Sequence, residues 1–328
     1  MALIKRRVLG KGTYGTVFLA ESTDPDAPPI AVKSCLLHRS SSLRGLPGIV
    51  QSFGSTTSIK NGAQYYDLLL EYAAGGTLAD VIRKGKGLQE GDVRRYTRMI
   101  LRGLCSMHSF GMVHCDLKPS NILVFPGPGG VNNNELKIAD FGLVKERGIC
   151  KDDNNFWKFR FRGTPFYVSP ESLAHGEIGT PMDIWSLGCI VVEMVTGTPA
   201  WWQCLDQETL MFRLAILHET PRIPEKLSED GKDFLRKCFA RDPTERWTAQ
   251  MFLDHPFVID QVSAPQLSSG SPLDLHAPSF LHHSLGYSDG LPPPCWASFS
   301  SHNSLGSSAS LTQPKCAAPF LSWTLILI

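Results

Sequence analysis

The chain has 328 residues, enough for one large two-lobed domain or two ordinary ones, and its 42% hydrophobic content is ample for a core. With 32 basic and 31 acidic residues well mixed, its formal charge of +1 argues against general nucleic-acid or membrane-surface binding. Its 9 cysteines form no C-x-x-C pair and no secretory leader stands at Met1–Arg7, which points to reduced thiols inside a cell, in the cytoplasm and also the nucleus. Neither Trp185–Val195 nor Phe320–Ile328 is long enough to insert across a membrane.

In chain order, Arg7–Ala20 reads as strand, glycine-rich turn, strand, with Gly10, Gly12 and Gly15 in the turn and Val17 and Leu19 alternating with Thr16 and Phe18. A strand rather than a helix follows the glycines, which excludes a dinucleotide-binding unit and the oxidoreductases built on it. Glu21–Pro29 reads as a turn and Ile30–Lys33 as the next strand. The following stretch, Ser34–Ile49, is anomalous. No Asp or Glu occurs between Asp26 and Asp67, and Ser40-Ser41-Ser42, Gly45 and Pro47 interrupt the pattern. A three-turn helix, about eleven residues long, finds no room there.

Ile49–Gly54 and Tyr65–Tyr72 resume the strand pattern, Gly75-Gly76 breaks it, and Thr77–Arg83 opens a larger, helical part. Gly91–Phe110 carries Val93, Tyr96, Met99, Ile100, Leu104 and Met107 at close to helical spacing. Asn121–Val124 and Leu136–Ala139 read as short strands around the turn Gly127–Asn134, and Asp183–Val195 as a buried helix. Gln261–Pro319 is dense in Ser, Pro, Gly and His without helical or strand period, the composition of a disordered tail.

The chemistry concentrates in His114-Cys115-Asp116-Leu117-Lys118-Pro119-Ser120-Asn121, answered by Asp140-Phe141-Gly142. Any one of these alone is an ordinary loop residue, but H-x-D-L-K-x-x-N followed by D-F-G is a joint match that chance does not supply. Transfer of a phosphoryl group from ATP to a hydroxyl needs the hydroxyl positioned, metal held on the phosphates and developing charge neutralised. Asp116 is placed to accept the hydroxyl proton, and Lys118 to approach the transferred phosphate as a point charge. Asn121 and Asp140 offer hard oxygen ligands suited to Mg2+.

These motifs resemble those of eukaryotic Ser/Thr protein kinases, over residues 3–258. Together with Gly163-Thr164-Pro165 and Lys237–Trp247 they are similar to plant MAP kinase kinase kinases of the MEKK-like group. The resemblance implies an α+β bilobal protein-kinase fold. Residues 1–70 would form a small β-rich N-lobe with helix C truncated, 71–74 the hinge, 75–258 a larger α-helical C-lobe and 259–328 the tail. It implies ATP held by Leu9, Gly10, Lys11, Gly12, Thr13, Tyr14, Gly15, Thr16 and Val17 of the glycine-rich hairpin and by Ala31 and Lys33. Leu70 would guard the back of the adenine pocket, the backbone of Glu71 and Ala73 would bind adenine, and Leu123 would close the pocket from below. The implied partner is a protein substrate, a MAP kinase kinase, phosphorylated on Ser or Thr; nothing fixes the oligomeric state.

The chain departs from the family pattern in four places. Cys115 replaces the arginine that clasps a phosphorylated activation loop, and no Ser, Thr or Tyr lies between Leu143 and Gly163. Both halves of that switch are therefore absent. Ser169 stands where alanine is usual. The family's helix glutamate, which pairs with the strand lysine, has no counterpart. Two expectations follow: a kinase in which another group supports Lys33, or a catalytically impaired pseudokinase acting as a scaffold.

Overall fold

The computed structural model describes residues 3–12, 15–35, 45–60, 62–128, 133–146, 164–204 and 206–259. The expected positions of Thr13 and Tyr14, of the truncated helix at 36–44, of most of the activation segment at 147–163 and of the tail from 260 onward lie outside these.

Alternation at the N-terminal end builds a five-stranded antiparallel sheet. Its strands are β1 (Leu3–Gly12), β2 (Gly15–Ser22), β3 (Ile30–Cys35), β4 (Ser52–Lys60) and β5 (Ala63–Glu71), in the spatial order β1-β2-β3-β5-β4. Val17 lies opposite Lys33, Leu19 opposite Ala31, and Ala31 opposite Leu70. Side chains alternate along a strand, so these residues share one face. The other face carries Phe18, Val32, Ser34 and Asp67, and there Lys5 Nζ donates to both Asp67 oxygens at 2.8 Å. Gly15 (φ +139°) is required where β2 crosses β3, since a Cβ there would stand 2.3 Å from the Ser34 carbonyl oxygen.

The fourth strand begins later than its pattern suggested. Ile49 pairs in parallel with Ile138 of the larger lobe; the Val50 N–H donates to the Ile138 C=O at 2.9 Å, and the Ile138 N–H to the Gly48 C=O at 2.8 Å. Apolar residues at 49 and 50 are buried against that lobe, so strand-like alternation here marks a tie between lobes and not the start of β4. Gly48 (φ +71°) permits the approach: a Cβ on it would lie 2.7 Å from the backbone of Gly103.

The larger lobe starts with α1 (Leu78–Gly85), whose N-terminus is closed by a reciprocal capping box between Thr77 and Asp80. The long helix α2 (Glu90–Ser109) buries Val93, Tyr96, Ile100, Leu101, Leu104 and Met107 on one stripe. It leads into β6 (Met112–Val113), β7 (Ile122–Phe125), β8 (Glu135–Ile138) and β9 (Lys145–Glu146), paired β6-β9 and β7-β8. Asn121 ends a 3-10 turn, Pro119–Asn121, instead of starting the strand.

Beyond lie α3 (Pro170–His175), α4 (Thr180–Thr196), α5 (Gln207–Ala215), α6 (Glu229–Cys238) and α7 (Ala249–Leu253). Every residue of α4 from Met182 to Val195 is buried, which makes it the central rod of the core. The Glu171–Arg246 pair closes this lobe's far end with bonds of 2.8 and 3.1 Å, and Arg246 also donates to the Ala240 and Pro181 carbonyls. The small β lobe and larger helical lobe expected from sequence are both present. Among the described residues no helix is long and apolar enough to cross a membrane.

Candidate active site

The site is assembled by a buried carboxylate on the core helix. Asp183, 1% exposed, accepts the His114 N–H at 2.9 Å, the Cys115 N–H at 3.2 Å and a bond from His108 Nε2 at 3.0 Å. These contacts hold the loop after β6 while Cys115 takes a left-handed conformation (φ +66°) that a non-glycine residue adopts only when its surroundings impose it. His114 then positions the next stretch. Its Nδ1 accepts the Asp116 N–H at 3.2 Å, so its Nε2 carries the proton donated to the Ala139 C=O at 3.0 Å.

Three side chains, those of the predicted Lys118 and Asn121 and of Thr164, converge on Asp116. Its Oδ2 accepts from Lys118 Nζ at 2.8 Å and Asn121 Nδ2 at 3.3 Å, and its Oδ1 accepts from the Thr164 hydroxyl at 3.0 Å. Lys118 also donates to Thr164 Oγ1 at 2.7 Å. Asn121 Nδ2 makes a further bond to the Asp116 carbonyl at 2.8 Å. With its amide nitrogen so engaged, the side chain keeps its oxygen as the atom available to a ligand.

Asp140 is brought alongside through the backbone, since the Ala139 N–H donates to the Asn121 C=O at 2.8 Å. It sits in the left-handed region (φ 63°) and caps the turn Phe141–Leu143 through a bond from the Gly142 N–H at 3.3 Å. Its Oδ1 also accepts from Lys33 Nζ, and in the described residues Asp140 is the carboxylate that pairs with this lysine. Burial alone would push the Asp140 carboxyl up, but the charge and hydrogen bond of Lys33 outweigh it and hold the carboxyl below its usual range.

An anionic and a neutral oxygen, from Asp140 and Asn121, suit a hard divalent cation. Among the described residues no group of three or more His, Cys, Asp or Glu could hold a metal alone. Such a pair fits a metal whose remaining ligands come from phosphate and water, the usual manner of magnesium.

The predicted nucleotide residues divide by element. Gly10, Lys11 and Gly12 end β1, Gly15, Thr16 and Val17 begin β2, and Leu9 is exposed on β1. Val17, Ala31, Lys33 and Leu70 share the sheet face described above. Leu123 is half-buried on β7, between core-facing Ile122 and Val124. At the hinge the Glu71 N–H donates to the Gln51 C=O at 3.1 Å, which engages that donor within the fold.

Sequence reading did not find the side-chain partners of this hinge. Glu71 Oε1 accepts the Gln51 N–H at 2.8 Å, and the same carboxylate binds Lys137 Nζ at 2.9 and 3.1 Å. Gln51 in turn accepts the Gly45 N–H at 2.8 Å and donates to the Leu46 and Ile49 carbonyls. A lone Gln and a lone Lys carry no pattern; only the bonded geometry links them.

Comparison with known proteins agrees with this geometry. Residues 3–258 match the protein kinase domain family. The chain is 40% identical over 279 residues to mitogen-activated protein kinase kinase kinase 20 of Arabidopsis thaliana, covering 79% of this chain and 78% of that protein. It is 38% identical over 299 residues to kinase kinase kinase 17 (85% and 77%) and 39% over 284 residues to kinase kinase kinase 18 (80% and 79%), both also from Arabidopsis thaliana.

Proposed function

The chain belongs to the protein kinase family, as an ATP-dependent Ser/Thr protein kinase, and from that premise we propose that it transfers the γ-phosphate of ATP to a Ser or Thr of a MAP kinase kinase. The observation that carries this reading is the convergence of Lys118, Asn121 and Thr164 on the Asp116 carboxylate. A substrate hydroxyl entering beside Thr164 meets Asp116 Oδ1, which takes its proton as the oxygen attacks. Lys118, bonded to Oδ2, keeps the carboxylate oriented and lies within reach of the phosphoryl oxygens. Asn121 and Asp140 would hold Mg2+, which when bound neutralises the charge on the phosphates. The names of the Arabidopsis relatives support a MAP kinase kinase as substrate, and the cysteine usage supports a site of action inside the cell.

The test is transfer of labelled phosphate from ATP and Mg2+ to an inactive MAP kinase kinase. Asp116→Asn should lower the rate by about 10²–10⁴-fold, the usual contribution of a positioned general base. A second reading, an inert scaffold, is favoured by the lack of any carboxylate between Asp26 and Asp67. Nucleotide binding by the folded parent without transfer to any Ser/Thr protein would establish the scaffold and sink the enzyme.

A further inference from the structure

Lys33 is the cation of the nucleotide face, and a cation there is useful only if something holds its flexible side chain in place. No residue from Ala27 to Tyr66 is acidic, so the connection that follows β3 has no carboxylate to offer, however it is arranged. Among the described residues, the Lys33 ammonium pairs with Asp140. The two oxygens of that carboxylate are unequal: Oδ1 takes both Lys33 and the Gly142 N–H, and Oδ2 has no hydrogen-bond partner among the described residues.

We infer that Asp140 is the positioning residue for Lys33, filling with one oxygen the place of the missing glutamate and keeping the other for the divalent cation. This rests on the kinase reading and deepens it, because it gives one side chain two duties that are otherwise divided between two. The backbone makes the arrangement firm. Asp140 is fixed on one side by the Ala139 bonds to Asn121 and His114 and on the other by its cap on Phe141–Leu143. Lys33 is fixed at its Cα by pairing with Val17 and Leu68. Only the ammonium end is left to be placed, and Asp140 places it.

The consequence has a sign that separates the two duties. In the absence of metal, a carboxylate that served the cation alone would only repel the phosphates of a nucleotide, and removing its charge would tighten binding. A carboxylate that holds Lys33 contributes through the lysine, and removing it weakens binding.

The experiment measures ATP affinity by calorimetry in excess chelator for the full chain, Lys33→Met, Asp140→Asn and the double variant. Lys33→Met should weaken metal-free binding about ten- to a hundredfold, the scale of one charge-assisted hydrogen bond. Asp140→Asn should weaken it severalfold with Lys33 present, yet strengthen it in the Lys33→Met background. Asn tolerates the left-handed backbone at this position, and Asp140→Gly, for which that backbone is unstrained, repeats the test should the first variant not fold.

Tightening by Asp140→Asn in both backgrounds overturns the proposal, and so does a parent chain that does not bind ATP without metal. The predicted reversal of sign in a chain that transfers no phosphate would leave this inference standing while the enzyme reading fell.

Discussion

Asp67 is 3% exposed on the outer face of the small lobe's sheet, with Lys5 and Ser34 bonded to it. Burial pushes its carboxyl up, but the hydrogen bonds of Lys5 and Ser34 outweigh that and hold it below the ordinary range. A carboxylate lowered in the fold contributes stability that is full above its unfolded value, about 3.9, and is lost as pH falls through the folded value. Lys5→Met should therefore cost about 2 kcal/mol near neutral pH, the scale of a hydrogen bond to a charged group. In urea unfolding the variant and parent should converge in acid; a constant gap at every pH would count against the ion pair. At Ser169, 0% exposed, the hydroxyl oxygen has no hydrogen-bond partner among the described residues. Ser169→Ala should be neutral or stabilising by about 1 kcal/mol in the same assay.

The helix α2 makes its sharpest demand on the sequence at Gly103. Intrinsic propensity favours alanine over glycine there by about 1 kcal/mol. A Cβ at 103, however, would stand 2.7 Å from the Gly48 carbonyl oxygen and 2.9 Å from Ile138 Cδ1. Rigid backbone cannot yield as a flexible side chain does, so Gly103→Ala should destabilise by about 1–3 kcal/mol despite its better propensity. A rise in melting temperature would show that the contact is slack. This site also marks where reading the chain stops. The strands, the long amphipathic helix and the loop from His114 to Asn121 were legible because residue type and spacing repeat or match a fixed chemistry. The start of β4 was misplaced because residues 49 and 50 alternate like a strand while pairing with β8. Lys33 and Asp140, 107 positions apart, meet only through the packing of the two lobes, and the partners of Glu71 are equally remote from any local pattern.

Across the whole molecule, one buried charge pair ties α3 to the segment ahead of α7. Arg246 has a fully buried side chain, bonded twice to Glu171 and stacked at 5.3 Å from the Trp185 ring centroid. Arg246→Ala would leave Glu171 charged and unpartnered in the core. It should lower the stability of the folded chain by about 3–5 kcal/mol in denaturant titration. A loss under 1 kcal/mol would mean that water replaces the pair.

The tie formed by Gly48, Ile49 and Val50 on β8 gives the small lobe a second anchorage that does not depend on what lies between Cys35 and Gly45. One end of that connection leaves a strand paired on both sides, and the other is sewn to the larger lobe two residues before Asp140. Loop-closure entropy rises by only about 0.6 kcal/mol for each doubling of length. The length of that connection can thus be changed by a splice junction or an engineer while both of its anchored ends stand. A chain given back a helical insert there, with an acidic residue facing β3, would relieve Asp140 of half its work without any other part of the protein having to be rebuilt.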